Sequence, residues 1–261
     1  MNETRRHLLA SLTVASAGAL LIGCRTTPNE SGGPSEQGGS SGATNDDGRE
    51  PAPGEVVPEE VTAVEDLMRE HGVLRRALLV YQESVVRLRQ DAASVPAEAL
   101  EKTAQLFRVF GEDYHEKRLE EAYILPLIKK VQGPVAMYAD VLVAQHTRGR
   151  EITDYLLSVT KGDKIAANQV NNVTKALESF VRMYEHHAAV EDTVVFPAWK
   201  KLTGEQEYNE LGEKFEEIEN EIFGEDGFES ALRRMEEIES SLGLTNLEMF
   251  TAPPLPQLFA L

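Results

Sequence analysis

The chain has a single cysteine, Cys24, in 261 residues. One cysteine excludes an internal disulfide framework, a zinc site built on several thiolates and an iron–sulfur cluster. Positive charge is also scarce: 26 Lys and Arg stand against 44 Asp and Glu, a formal net charge of −18. That balance argues against nucleic acid, which needs clustered Lys and Arg, and against a peripheral grip on anionic lipid headgroups. Proline and glycine are sparse within the periodic stretches, which are rich in Ala, Leu, Glu, Arg and Lys. An all-α fold is therefore expected.

The first 24 residues read as an export signal. Arg5-Arg6 precede a weakly apolar run from Leu8 to Gly23 that is too short and too rich in Gly, Ala and Ser for a spanning helix. The paired arginines resemble a Tat signal, and Leu21-Ile22-Gly23-Cys24 resembles a bacterial lipobox, which implies cleavage before Cys24 and lipidation of its sulfur. The expected location is extracytoplasmic, lipid-anchored to the bacterial cell envelope. Residues 25–59 carry Gly, Ser, Pro, Asn, Asp and Glu with almost no apolar anchor, as a tethering linker does. About 190 residues remain, enough for one well-cored domain.

Apolar periodicity then predicts four long helices over 60–202: A (60–92), B (96–131), C (134–160) and D (164–202). Two shorter ones follow within 203–250, with Gly224 and Gly243 as stops, before a Pro-rich tail, 251–261. On D, the stripe Val173, Leu177, Phe180, Tyr184 continues to His187 and Glu191, then to Val194 and Ala198. An imidazole and a carboxylate turned inward together are costly unless satisfied, and a metal satisfies both; a buried His–Glu hydrogen bond is the other reading. The chain repeats the pattern. Tyr114-His115 is followed by Glu120-Glu121 and Pro126, as Tyr184-Glu185-His186-His187 is followed by Glu191-Asp192 and Pro197. His71 and His146 lie alone on the stripes of A and C.

Helix B has an irregular register. His115 and Glu120 are five residues apart where His187 and Glu191 are four. A single π-type bulge near 116–119 reconciles them, the alternative being an undistorted helix with a five-residue spacing. Pro126 and Pro197 are expected to end or kink their helices. Gly149 on C leaves room beside His146.

The order of single His, His plus acid, single His, His plus acid resembles the hemerythrin-like (HHE cation-binding) family over about 60–202. The resemblance implies an up-down-up-down four-helix bundle with a di-iron core, to which the C-terminal helices are an extension. The implied ligands are His71, His115, Glu120, His146, His187 and Glu191, with the two glutamates bridging two non-haem Fe ions (Mn or Zn as alternatives). Three departures stand out. Arg150 occupies the place of a second helix C histidine found in oxygen carriers, the His115–Glu120 spacing is one longer than usual, and His186 is an extra imidazole, a fifth ligand or a neighbour of the ligands. Two bridging carboxylates and four or five imidazoles leave positions open for O2, NO, peroxide or water.

The expected function is binding or sensing of a small diatomic ligand at an open di-metal centre. The alternatives are a di-iron redox enzyme, peroxidase-like or NO-reducing, and an iron store or donor.

Overall fold

A computed structural model describes residues 61–224 and 226–254 of the chain. The expected signal segment 1–24 with Cys24, the linker 25–59 and residues 255–261 of the tail lie outside the described residues. The described residues form helices and connecting turns, with no strand among them. Helix α1 is Ala63–Gln90, α2 spans 97–128, α3 is Ala136–Val159 and α4 spans 170–202. Beyond them lie α5, Glu205–Phe223, and α6, Gly227–Leu242, then a 3-10 turn, Leu247–Phe250.

Local chemistry sets the boundaries. Thr62 opens α1 with a capping box: the Glu65 N–H donates to its hydroxyl at 3.4 Å and its own N–H donates to Glu65 Oε2 at 2.9 Å. Gly224 and Gly243 stop α5 and α6 at φ 67° and 68°, a left-handed conformation costly for other residues. Helix α4 starts six residues later than the periodicity indicates. Ile165 is drawn into the core from the connector, and Tyr155 Oη hydrogen-bonds Gln169 Oε1 at 3.2 Å just before the helix begins.

Short connectors make successive helices antiparallel. Helix α1 packs along α4, α2 along α3, and α3 along α4, which leaves one shared interior. Helices α5 and α6 pack over α1 and α2. They are fastened there by Trp199 stacked on Phe215 at 5.8 Å, by a two-pronged Arg76–Glu239 ion pair at 2.9 and 2.6 Å, and by the Val64 N–H donating to Tyr208 Oη at 2.9 Å. No helix among the described residues is long and apolar enough to cross a membrane.

The register of α2 departs further from the α-form than a single bulge. It begins α-helical, Ala97–Leu106, becomes a π-helix over Phe107–Ile124, and returns to α over Leu125–Ile128. Helix α4 also has a π segment, Glu191–Val195, where the sequence pattern indicated a plain helix. Each segment closes in the same way: the Leu125 N–H donates to the Glu120 carbonyl, and the Phe196 N–H to the Glu191 carbonyl, both across five residues. The shift explains a misplaced face. Val194, expected inward, is 37% exposed, whereas Val195 and Phe196 are fully buried.

Neither proline ends its helix. Pro126 and Pro197 each stand at the second residue of the α-turn that follows a π segment. A change of register leaves an N–H there without a regular partner, so a residue lacking that donor fits with little cost.

Candidate metal centre

The four helices of the bundle each place one histidine in the interior: His71 from α1, His115 from α2, His146 from α3 and His187 from α4. Glu120 and Glu191 lie among them and are fully buried. The π-helix puts His115 and Glu120, five apart, on one line, as the α-helix does for His187 and Glu191, four apart.

The histidines form two pairs. His71 Nε2 and His115 Nε2 are 3.0 Å apart, and His146 Nε2 and His187 Nε2 are 3.1 Å apart. Glu120 reaches both pairs, with Oε1 3.3 Å from His115 Nε2 and Oε2 3.3 Å from His146 Nε2. Glu191 Oε2 also reaches both, 3.0 Å from His187 Nε2 and 3.5 Å from His71 Nε2. The donor atoms of Glu120, His146, His187 and Glu191 lie within 4.8 Å of one another, as do those of His71, His115 and Glu120. His186 does not join them: it is exposed, and its Nδ1 faces the Arg182 carbonyl at 2.9 Å.

A second ring of residues holds the imidazoles. His71 Nδ1 meets Asp192 Oδ1 at 2.7 Å, His115 Nδ1 meets Glu70 Oε2 at 2.6 Å, His146 Nδ1 meets Glu121 Oε1 at 3.0 Å, and His187 Nδ1 meets Gln145 Oε1 at 2.8 Å. These oxygens accept, so each Nδ1 carries a proton and each Nε2 is the atom left facing the interior. Every such partner is the sequence neighbour of an inner residue, yet it serves the imidazole of another helix. The pattern repeats with a pseudo-twofold relation: α1 and α2 correspond to α3 and α4. Arg75 and Arg150, each four residues beyond a histidine, match as well; Arg75 pairs with Asp192, and Arg150 Nη2 donates to Glu121 Oε1 at 2.7 Å. Arg150 also lies 3.2 Å from Glu116 Oε2, so its cation fills the space among Glu116, Glu121 and His146.

The electrostatics call for positive charge. Burial opposes protonation of His115, but Glu120 and Glu70 outweigh it and raise its pKa well above the ordinary histidine value. Burial likewise opposes His146, and Glu116, Glu120 and Glu121 carry it to about 10. Burial and the neighbouring His146 depress His187 to about 4. Burial and the charge of Glu120 push Glu191 well above the carboxylate range, while His115 and His146 overcome burial and hold Glu120 well below it.

The residues fit a pair of cations. All four carboxylate oxygens of Glu120 and Glu191 are buried without a hydrogen-bond partner among the described residues, because the imidazole contacts lack hydrogen-bond geometry. Buried polar groups left in that state cost several kcal/mol. Metal ions would satisfy them. Imidazole and carboxylate donors without sulfur suit iron, manganese and zinc.

Beside the cluster is a small recess lined by Leu74, Leu78, Phe107 and Tyr184 together with His71, His115 and His187. It has room for about one water-sized molecule. Tyr184 projects against Gly149, where an added Cβ would come within 2.9 Å of the phenol Cζ. The room that Gly149 provides is therefore taken by Tyr184, whose hydroxyl donates to Glu116 Oε1 at 2.6 Å.

A helical bundle with a buried histidine and carboxylate cluster defines a metal-binding bundle protein. The family model described as "Hemerythrin HHE cation binding domain" matches residues 62–199, and the chain belongs to this family. It is similar to an uncharacterized protein of Mycobacterium bovis and to uncharacterized proteins of two strains of Mycobacterium tuberculosis. Each is 41% identical over 249 residues, covering 95% of this chain and 90% of the relative. No solved structure gives a significant match.

The outer ring was not legible in the sequence. Glu121 and Asp192 stand in the doubled acid pair and Glu70 and Gln145 beside a lone histidine, but nothing in the sequence says which imidazole each one meets. Their one available signal is position: each lies one residue from an inward His or Glu in both halves of the repeat.

Proposed function

We propose that the chain is a non-haem di-iron protein that binds or senses a small diatomic ligand such as O2 or NO in the recess beside the cluster. His71 and His115 would hold one iron and His146 and His187 the other, with Glu120 and Glu191 within reach of both histidine pairs. The observation that carries this reading is the convergence of four imidazole Nε2 atoms on two buried, hydrogen-bond-free glutamates, next to a recess with room for about one water-sized molecule. Iron held there supplies reversible ligand binding and electron exchange. The protein supplies the rest. The Nδ1 partners fix the imidazole planes, Phe107, Leu74 and Leu78 keep bulk water out, and α5 and α6 cover the α1–α2 face.

An optical experiment tests it. Reduced, iron-loaded protein gains a visible charge-transfer band on exposure to O2 or NO, saturating at a fixed ratio of ligand to chain. No spectral change with either gas would defeat the reading.

A second reading, a peroxidase-like or NO-reducing enzyme, is favoured by one feature. The Tyr184 hydroxyl and Glu116 form a buried polar pair at the edge of the recess, close enough to supply a proton. Steady turnover of peroxide or NO, rather than stoichiometric binding, distinguishes it.

The proposed location is the cell envelope, through lipid on Cys24. Cys24→Ser moves the protein from the membrane fraction to the soluble fraction if the anchor is real; an unchanged distribution contradicts it.

A further inference from the structure

The pseudo-twofold relation between the halves of the centre is broken at one place in the outer ring. His71 and His146 correspond, and each sees a carboxylate already paired with an arginine: Asp192 with Arg75, Glu121 with Arg150. His115 and His187 also correspond. The partner of His115 is the carboxylate of Glu70, and the partner of His187 is the neutral amide of Gln145.

Resting on the two-metal reading above, we propose that this difference makes the two cation positions inequivalent: the position held by His71 and His115 fills first and binds more tightly than the one held by His146 and His187, with Glu70 and Gln145 as the positioning residues that set the order.

The physical reason is donor strength. An imidazole whose Nδ1–H donates to a carboxylate carries more electron density on Nε2 than one donating to an amide, and binds a cation better. Glu70 is placed for that purpose. It is 1% exposed, its other oxygen accepts from the Tyr114 hydroxyl at 2.9 Å, and it has no Lys or Arg ion pair among the described residues. At the position matching Tyr114 stands His186, which is exposed. Glu116 is the remaining anion close to the weaker side. Its Oε2 shares the Arg150 guanidinium, and its Oε1 is occupied by Tyr184, so it acts on His146 only through space.

The test is a stepwise Co(II) titration of the metal-stripped full chain, followed by visible absorption and calorimetry. Wild type takes up two ions in two steps whose affinities differ by about tenfold or more. Glu70→Gln, nearly isosteric, loosens the tighter step by about tenfold and leaves the weaker one in place. Gln145→Glu tightens the weaker step by about tenfold, an independent arm should the first variant fold poorly. Two indistinguishable steps in wild type overturn the inference. So does a Glu70→Gln variant whose tighter step is unmoved, or a Gln145→Glu variant whose weaker step is unmoved. Fewer than two cobalt ions per chain instead contradict the two-metal reading on which it rests.

Discussion

The carboxylate of Glu70 lies 2.6 Å from Nδ1 of His115, on the next helix, while the histidine adjoining Glu70 in sequence, His71, is held by Asp192 of α4. Each helix of the bundle thus contributes a donor and also orients the donor of a neighbour. The centre is a closed circuit of α1 to α2, α2 to α3, α3 to α4 and α4 back to α1.

Because Glu120 touches both histidine pairs, its removal affects both cation positions. Glu120→Ala is expected to reduce bound metal to less than half the wild-type amount, whereas exposed His186→Ala leaves the metal content unchanged. Elemental analysis of both variants beside wild type checks this, with circular dichroism to confirm helical content.

Metal uptake displaces protons. In the metal-free cluster the pKa of His146 stands at about 10, and those of His115 and Glu191 are raised well above their ordinary values by the neighbouring charges and burial described above. Binding a pair of divalent ions is therefore expected to release protons, and affinity to rise with pH. Calorimetry in two buffers of different ionisation enthalpy counts them. Release of none contradicts the assignment.

Glu112 is buried on α2, and burial raises its pKa to about 7 despite the Thr153 hydroxyl donating to it at 2.5 Å. A raised carboxylate pKa costs the folded state nothing below the unfolded value. The penalty grows as pH rises from the unfolded pKa to about 7 and is constant above that. Glu112→Gln removes it and can still accept from Thr153. Relative to wild type, the variant is expected to gain roughly 2–3 kcal/mol between pH 4.5 and pH 8. Urea unfolding at the two pH values, in the same metal state, measures the difference.

Gly149 is where α3 lets Tyr184 approach. Gly149→Ala introduces a Cβ into the space of the phenol. The expected cost is about 1–3 kcal/mol in unfolding free energy, together with loss of the Tyr184–Glu116 hydrogen bond. Gly72→Ala, with open space around it, is the control and is expected to be neutral or slightly stabilising.

What the sequence made legible was what periodicity reports. His71, His115, His146 and His187 sit on apolar stripes, and a charged or polar group on such a stripe is conspicuous. The helix count and the glycine stops followed from the same pattern. Three things were hidden. The length of the π segment was hidden because only the His115–Glu120 spacing betrayed it, while the equivalent distortion at Glu191–Val195 left the His187–Glu191 spacing at four. The exact inward face of α1 was hidden: Leu67 is buried while Met68 beside it is 41% exposed, since a broad apolar face tolerates a shift of one. The outer partners were hidden because Glu70 and Asp192 each serve a histidine of another helix, which appears only when that helix is in place.

The central claim is that six side chains from four helices hold two metal ions. Metal analysis of protein purified under anaerobic conditions, with its visible spectrum recorded before and after admission of O2, tests it most directly. The account predicts about two iron ions per chain and a new absorption band on oxygenation. Protein that folds to the same helical content with no bound metal, and stays spectrally silent after iron is added, would contradict it.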